Sequence, residues 1–360
     1  MPRNASRNKL DGCNVAVTGG AGFIGSHLVE HLLARGCRVR VIDDLSTGSH
    51  SNLAFAANEP RLEFVEATIL DQAAMHRALR GCDAVFHLAT RNVRLSLFQP
   101  TTVHEVNVTG TLNVLKAAAA AGVRRLLYCS SSEVNGTADV VPMAEDYAFR
   151  PETIYGASKL AGEYYALVFH RSSWLPCVVA RPHNNYGPRA HFKGPSGELI
   201  PRMVLLALMG KPLPVFGDGG QTRDFTYVGE TVEHLATLIE TDNALGQVFN
   251  VCHGEEVTVR RIAELILSLT GSRSRIEHLP PRRNDVLRLF GDATRLRGLL
   301  GHAPESSIEE GLTRTVAWYR DNVPLDAATL AAISPTGWRE VAPEPWITAA
   351  LSARTSEAAA

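Results

Sequence analysis

The stretch "NVAVTGGAGFIGSHLVEHLL", residues 14–33, constrains the fold more than any other. Its first five residues read as a buried strand, and from Phe23 onward the apolar residues recur at helical spacing. Between the two stand Gly19, Gly22 and Gly25, and Gly20, Gly22 and Gly25 also satisfy the GxGxxG spacing. Glycines there permit a tight turn and let backbone N–H groups approach a pyrophosphate resting on the positive helix N-terminus. The next apolar run, "RVRVIDD", ends on Asp43 with Asp44 beside it, about 20 residues on, where an acid meets the ribose hydroxyls of a dinucleotide. A carboxylate at that point repels a 2′-phosphate, which favours NAD over NADP. A glycine turn with no ligand is the bland alternative, and the conjunction of strand, helix and acid disfavours it.

The same rhythm continues through "LEFVEA", "DQAAMHRALRG", "AVFHLAT", "NVTGTLNVLKAAAAAGV" and "RRLLYCSS". Strand, helix, strand at this spacing predicts a parallel sheet with helices on both faces. The expected class is therefore α/β, a Rossmann-type doubly wound parallel sheet over residues 1–187, continuing through an amphipathic segment from Ala157 to about Ser172 and a strand in "CVVARPHNNYG". After Gly187 the text turns to Gly/Pro-rich loops, with helices over Pro201–Leu208 and Thr231–Glu240. A smaller α/β substrate domain over 188–325 is expected there, interleaved in part with the first. Residues 326–360 are Ala/Pro-rich and read as a peripheral tail. Lys+Arg 36 against Asp+Glu 37 leaves a formal charge of -1, so no global field recruits nucleic acid or an anionic membrane. Six cysteines stand singly with no CxxC pair, which fits reduced thiols and argues against a zinc site or any other metal. With no signal peptide and no apolar run of about 18 residues, the expectation is a soluble cytoplasmic protein.

"TIYGASKLAGEYY" places Tyr155 and Lys159 four apart, neighbours on one helix face. A free tyrosine, with a pKa of about 10, is only about 0.1% phenolate at pH 7. An adjacent ammonium and a positively charged nicotinamide both favour the phenolate, which would make Tyr155 a usable base. YxxxK alone more often marks a surface pair. Here it follows a dinucleotide fingerprint and a strand ending in Ser130, Ser131 and Ser132, hydroxyls that in a plain loop would bond nearby backbone groups.

Taken in order, "TGGAGFIGSHL", "VIDDLSTG", "HLAT", "NVTGTLNVL", "SSSEVNG", "YGASK", "RPHNNYGPR", "GDGGQTRDFTYV" and "GDATRLRGLLGHAP" resemble the extended short-chain dehydrogenase/reductases, specifically the NAD-dependent sugar-nucleotide epimerase/dehydratase family, over roughly residues 12–322. The resemblance implies NAD as cofactor, with contacts from Gly19, Gly22, Phe23, Ile24, Gly25, Asp43, Asp44, Ser46, Leu88, Tyr155 and Lys159. It implies a UDP- or dTDP-linked nucleoside diphosphate sugar as substrate, touched by Ser132, Asn184, Arg189, Arg223 and Arg282. Guanidinium forks suit its phosphates. A homodimer through the helices equivalent to Thr101–Ala121 and Tyr155–Ser172 is also implied. Tyr155, helped by Lys159 and Ser131, would take the proton of the sugar's C4 hydroxyl while the C4 hydrogen leaves as hydride to NAD+, giving a 4-keto intermediate that the family's members resolve as epimerases, dehydratases or decarboxylases.

Five positions bear on that outcome. Glu133 resembles the glutamate of 4,6-dehydratases and UDP-glucuronate decarboxylases, where simple 4-epimerases carry a small or neutral residue. Ser132 stands where hexose dehydratases carry an aspartic acid, and the short segment between Ser131 and Tyr155 lacks the insertion typical of decarboxylases. Thr68 replaces an aspartate that would meet the adenine amine. Asn135 replaces a tyrosine and is expected to remove an aromatic wall from the sugar pocket, while His183 reads as packing or polar lining. The reading is a 4,6-dehydratase-type lyase in which Glu133 takes the C5 proton. Behind it stand a UDP-hexose 4-epimerase, a UDP-glucuronate decarboxylase and a non-catalytic NAD-binding regulator.

Overall fold

Strand β1 (Asn14–Thr18) buries residues on both of its faces. Val15 and Val17 join one apolar cluster and Ala16 a second across the sheet, as period-2 alternation requires of a sheet covered twice. The computed structural model describes residues 9–281, 287–301, 306–333 and 341–349. In it β1 belongs to a parallel seven-stranded sheet with β2 (Arg38–Asp43), β3 (Leu62–Glu66), β4 (Ala84–His87), β5 (Arg125–Cys129), β6 (Cys177–Pro182) and Val248–Val251. The spatial order is Val248–Val251, β6, β5, β4, β1, β2, β3. The chain winds outward from β1 through β2 and β3, then crosses to β4 on the other side of β1, so a crevice opens at the carboxyl ends of β1 and β4.

Helices in chain order are α1 (Phe23–Ala34), α2 (Gln72–Ala78), α3 (Val93–Ser96), α4 (Pro100–His104), α5 (Thr111–Ala120), α6 (Ile154–Arg171), α7 (Leu199–Leu208), α8 (Val228–Glu240), α9 (Val259–Thr270), α10 (Thr294–Leu300) and α11 (Ile308–Asn322). On one face of the sheet α1 packs Leu28, Val29 and Leu32 with Leu235, Leu238 and Ile239 of α8. The other face is covered by Met75 of α2, Val114 and Leu115 of α5, and Ala166 and Phe169 of α6. Thus α8 and Val248–Val251, which lie after Gly187 in sequence, return to the large sheet.

A third cluster joins α7, α9 and α11 around Leu213 and Val215, where Leu213–Phe216 pairs in parallel with Ile276–Leu279. Helix α7 starts two residues before the predicted Pro201, because proline is tolerated in a first turn whose N–H groups have no helical partner. All six cysteines are unpaired thiols, and five of them are buried. Among the described residues no helix is long and apolar enough to cross a membrane.

Candidate active site

The crevice is a cavity of about 470 Å³ lined from both sides by the motif residues. Its floor begins at the glycine loop. Gly19 has φ +73°, and a Cβ there would lie 2.7 Å from the backbone nitrogen of Ala89. A Cβ on Gly25 would come 2.1 Å from the carbonyl oxygen of Gly19, so this glycine lets α1 seat directly against the loop. No side chain caps the first turn of α1, which leaves a positive helix end open to an anion. Asp43 closes the loop from β2, accepting from Ala21 N–H and Leu45 N–H at 2.9 Å each. Burial pushes its carboxyl up, and those two backbone donors oppose the rise. Asp44 accepts from Ser46 N–H and pairs with Arg91 at 3.1 Å. Gly22, Phe23, Ile24, Ser46 and Leu88 line the same end. A cradle that side chains would fill, an uncapped helix end and two acids near the ribose position together fit a dinucleotide.

At the other end β5 delivers Ser131, which caps a short helical turn, Ser132–Val134, by accepting from Glu133 N–H at 3.2 Å. Opposite it, α6 is started by the Thr153 hydroxyl accepting from Gly156 N–H, so Tyr155 and Lys159 fall one turn apart facing the crevice. The Lys159 ammonium sits 4.7 Å above the Tyr128 ring, and burial pushes it down to about 8. Burial also raises the Tyr155 phenol above its ordinary range, although the Ser131 hydroxyl bonds it and pulls the other way. Burial outweighs what the surrounding protein supplies toward a phenolate.

Glu133 lies mostly buried in the cavity wall. Among the described residues nothing donates a hydrogen bond to its carboxylate. Burial pushes its proton affinity up, with Arg223 and Arg94 opposing. Ser132, Asn184 and Arg223 also line the cavity, Asn184 being held by its amide donating to Asp224 O at 3.3 Å.

Two expectations, those for Arg189 and Asn135, need correction. Arg189 is not brought to the cavity: its backbone is left-handed, at φ 62°, and its guanidinium turns back to α1, donating to His27, Glu30 and Asn52 O. Arg282 lies outside the described residues. Asn135 is not brought to the cavity: its buried amide donates to the carbonyls of Tyr147 and Ala148. The Thr68 hydroxyl accepts from Leu70 N–H in a local turn. His183 lines the cavity and packs against Gly291, where a Cβ would lie 2.5 Å from its Cε1; burial lowers it to about 4, so it is neutral.

The motif reading missed the roof. Arg91, Asn92, Val93 and Arg94 follow "HLAT" and close over the crevice, with Asn92 donating to the Ser196 hydroxyl at 2.9 Å from the far lip. His191 and Glu198 complete that lip, joined by Glu198 N–H donating to His191 O. Polar "RNVR" directly after a strand-end motif was the available signal.

Comparison with known proteins gives a consistent result. The profile of the NAD dependent epimerase/dehydratase family matches residues 15–252. A UDP-glucose 4-epimerase of Mycolicibacterium smegmatis is 38% identical over 85% of this chain and 98% of its own length. A UDP-N-acetyl-alpha-D-glucosaminuronate decarboxylase of Bacillus cytotoxicus is 35% identical over 85% of this chain and 97% of its own. The crystal structure of DesIV, a dTDP-glucose 4,6-dehydratase from Streptomyces venezuelae with NAD bound, superimposes with a TM-score of 0.81 at 35% identity, covering 87% of this chain and 100% of that one.

Proposed function

The chain belongs to the NAD-dependent epimerase/dehydratase family, and within it we propose that this protein is a 4,6-dehydratase-type lyase acting on a UDP- or dTDP-linked hexose. Bound NAD, held by the glycine loop and the acids after β2, supplies a reversible hydride acceptor. Tyr155, bonded by Ser131 and flanked by the Lys159 ammonium, takes the proton of the sugar's C4 hydroxyl as C4 is oxidised. The ketone acidifies the C5 hydrogen. Glu133, with a proton affinity raised by burial, is suited to take that proton and pass it to the 6-hydroxyl, which departs as water; the hydride then returns to C6 and a proton, matching the one Tyr155 took, to C5, so that the cofactor ends as it began.

The observation that carries this reading is the Glu133 carboxylate, which faces the cavity and accepts no hydrogen bond from the described residues. A buried carboxylate without a donor is disfavoured unless it is used. Inversion at C4 alone gives it no proton to move. The 38% identity to a UDP-glucose 4-epimerase favours a second reading as a 4-epimerase. Mass spectrometry of products from a UDP- and dTDP-hexose panel tests the two. The expected product is a 4-keto-6-deoxy sugar lighter by one water, and Glu133→Gln should abolish it while sparing reduction of bound NAD. A product of unchanged mass, altered only at C4, establishes the epimerase. Release of CO2 from UDP-glucuronate establishes a decarboxylase.

A further inference from the structure

Behind the catalytic residues lies an ion pair whose side chains are only 1% and 2% exposed, Arg181 with Glu163. Glu163 stands on α6, one turn beyond Lys159 and two beyond Tyr155. Its carboxylate accepts from Arg181 Nε and Nη2 at 2.8 Å each, and from the Ser130 hydroxyl at 2.6 Å. Arg181 donates its remaining arm to Glu145 O at 2.8 Å. One carboxylate thereby joins three elements that each deliver cavity residues: β5 leading to Ser131, α6 with Tyr155 and Lys159, and β6 leading to His183 and Asn184.

A buried ion pair is weak grounds for stability, since apolar residues of similar volume often serve as well. What this pair adds is geometry. Ser130 is the residue before Ser131, so fixing its hydroxyl to α6 fixes the separation between the Ser131 hydroxyl and the Tyr155 phenol. Glu163 also supports the charge of the Lys159 ammonium against its burial.

We propose that Glu163 is a positioning residue, which by holding the Ser130 hydroxyl to α6 sets Ser131 against Tyr155. The proposal rests on the reading of Ser131, Tyr155 and Lys159 as the proton-transfer set. Its test does not need the substrate. The NAD-loaded protein is titrated by tyrosinate absorbance, with the Tyr155 step isolated by difference from Tyr155→Phe. In the double variant E163M/R181M, which leaves no unpaired buried charge, the bond that ties Ser130 to α6 is lost, and with it the hold of the Ser131 hydroxyl on the Tyr155 phenol. The Tyr155 step should then move up by at least about one pH unit, a tenfold change in ionisation constant. Ser130→Ala, which keeps the ion pair intact and so guards against a folding defect in the double variant, should move it in the same direction by less. If both variants bind NAD stoichiometrically and titrate Tyr155 as the parent does, Glu163 is only structural and the proposal fails. Adding UDP-glucose and dTDP-glucose to the parent protein separates the two questions: no reduction of bound NAD with either counts against the lyase reading, while the titration alone decides the role of Glu163.

Discussion

Glu133 carries a cost that its neighbours only partly offset. Its carboxylate lies in the cavity wall with Arg223 and Arg94 within electrostatic range but, among the described residues, no donor bonded to it, and burial lifts its proton affinity above that of a free glutamate. The folded state therefore binds this proton more tightly than the unfolded chain. Its contribution to stability is fully present below the unfolded carboxylate range and is lost as pH rises through the raised folded value. Glu133→Gln removes that titration. The variant should melt about 2 °C above the parent at pH 8 and together with it near pH 4, as read by differential scanning fluorimetry. A gain that does not change with pH would rule out desolvation as its source. Residues of this kind were legible in the sequence because each sits inside a local motif: a hydroxyl cluster ending a strand, or a tyrosine and lysine one helical turn apart. Arg189 was not, because no motif encodes which way a lone arginine turns. A left-handed backbone at that residue sends it to His27 and Glu30.

At the scale of elements, the junction of β1 with α1 is governed by close backbone approach. A methyl group on Gly25 would meet Gly19 O at 2.1 Å and Gly20 Cα at 2.8 Å, both main-chain atoms that cannot swing aside. Gly25→Ala is expected to push α1 off the loop, lowering NAD affinity by at least about tenfold in isothermal calorimetry, a loss of about 1.4 kcal/mol. Gly298→Ala in α10 supplies the contrast. Nothing lies within 4 Å of a Cβ there, so the same substitution should stabilise the protein by about 0.5–1 kcal/mol through helix propensity. The large sheet was legible because each strand and its helix announce themselves through local periodicity. The two-residue strands Thr222–Arg223, Val257–Thr258 and Arg288–Leu289 were not. Their pairing is set by partners far away in sequence, and two residues are too few to establish a period.

Across the whole molecule, the chain's last described segment reaches back to the roof of the cavity. Glu344 donates its N–H to Phe98 O at 2.8 Å, and its carboxylate accepts from Thr101 N–H at 2.9 Å and Thr101 Oγ1 at 2.8 Å. Trp346 Nε1 holds the same carboxylate at 2.7 Å. Thr101 lies in the first turn of α4, where N–H groups have no partner within the helix, so an acid there satisfies a donor and matches the helix dipole. Composition suggested a peripheral tail because Ala and Pro carry no signal of such a contact; Glu344 makes most of it, with Gln99 Nε2 donating to Ala342 O at 3.4 Å. The segment 98–101 follows α3 directly, and α3 begins beside Asn92, whose bond to Ser196 spans the crevice. Anchoring one end of this roof should slow its local opening. A chain ending at residue 333 is therefore expected to melt within a few degrees of the full chain yet exchange its backbone amides over 92–101 at least about tenfold faster by hydrogen-exchange mass spectrometry, a local effect with the global fold intact. Amides of β1 and β5, at the centre of the sheet, provide the internal reference and should be unchanged. Equal exchange over 92–101 in both chains would mean that Glu344 occupies its site too briefly to matter. A rise spread evenly over the sheet would mean that the tail supports the fold as a whole rather than the roof.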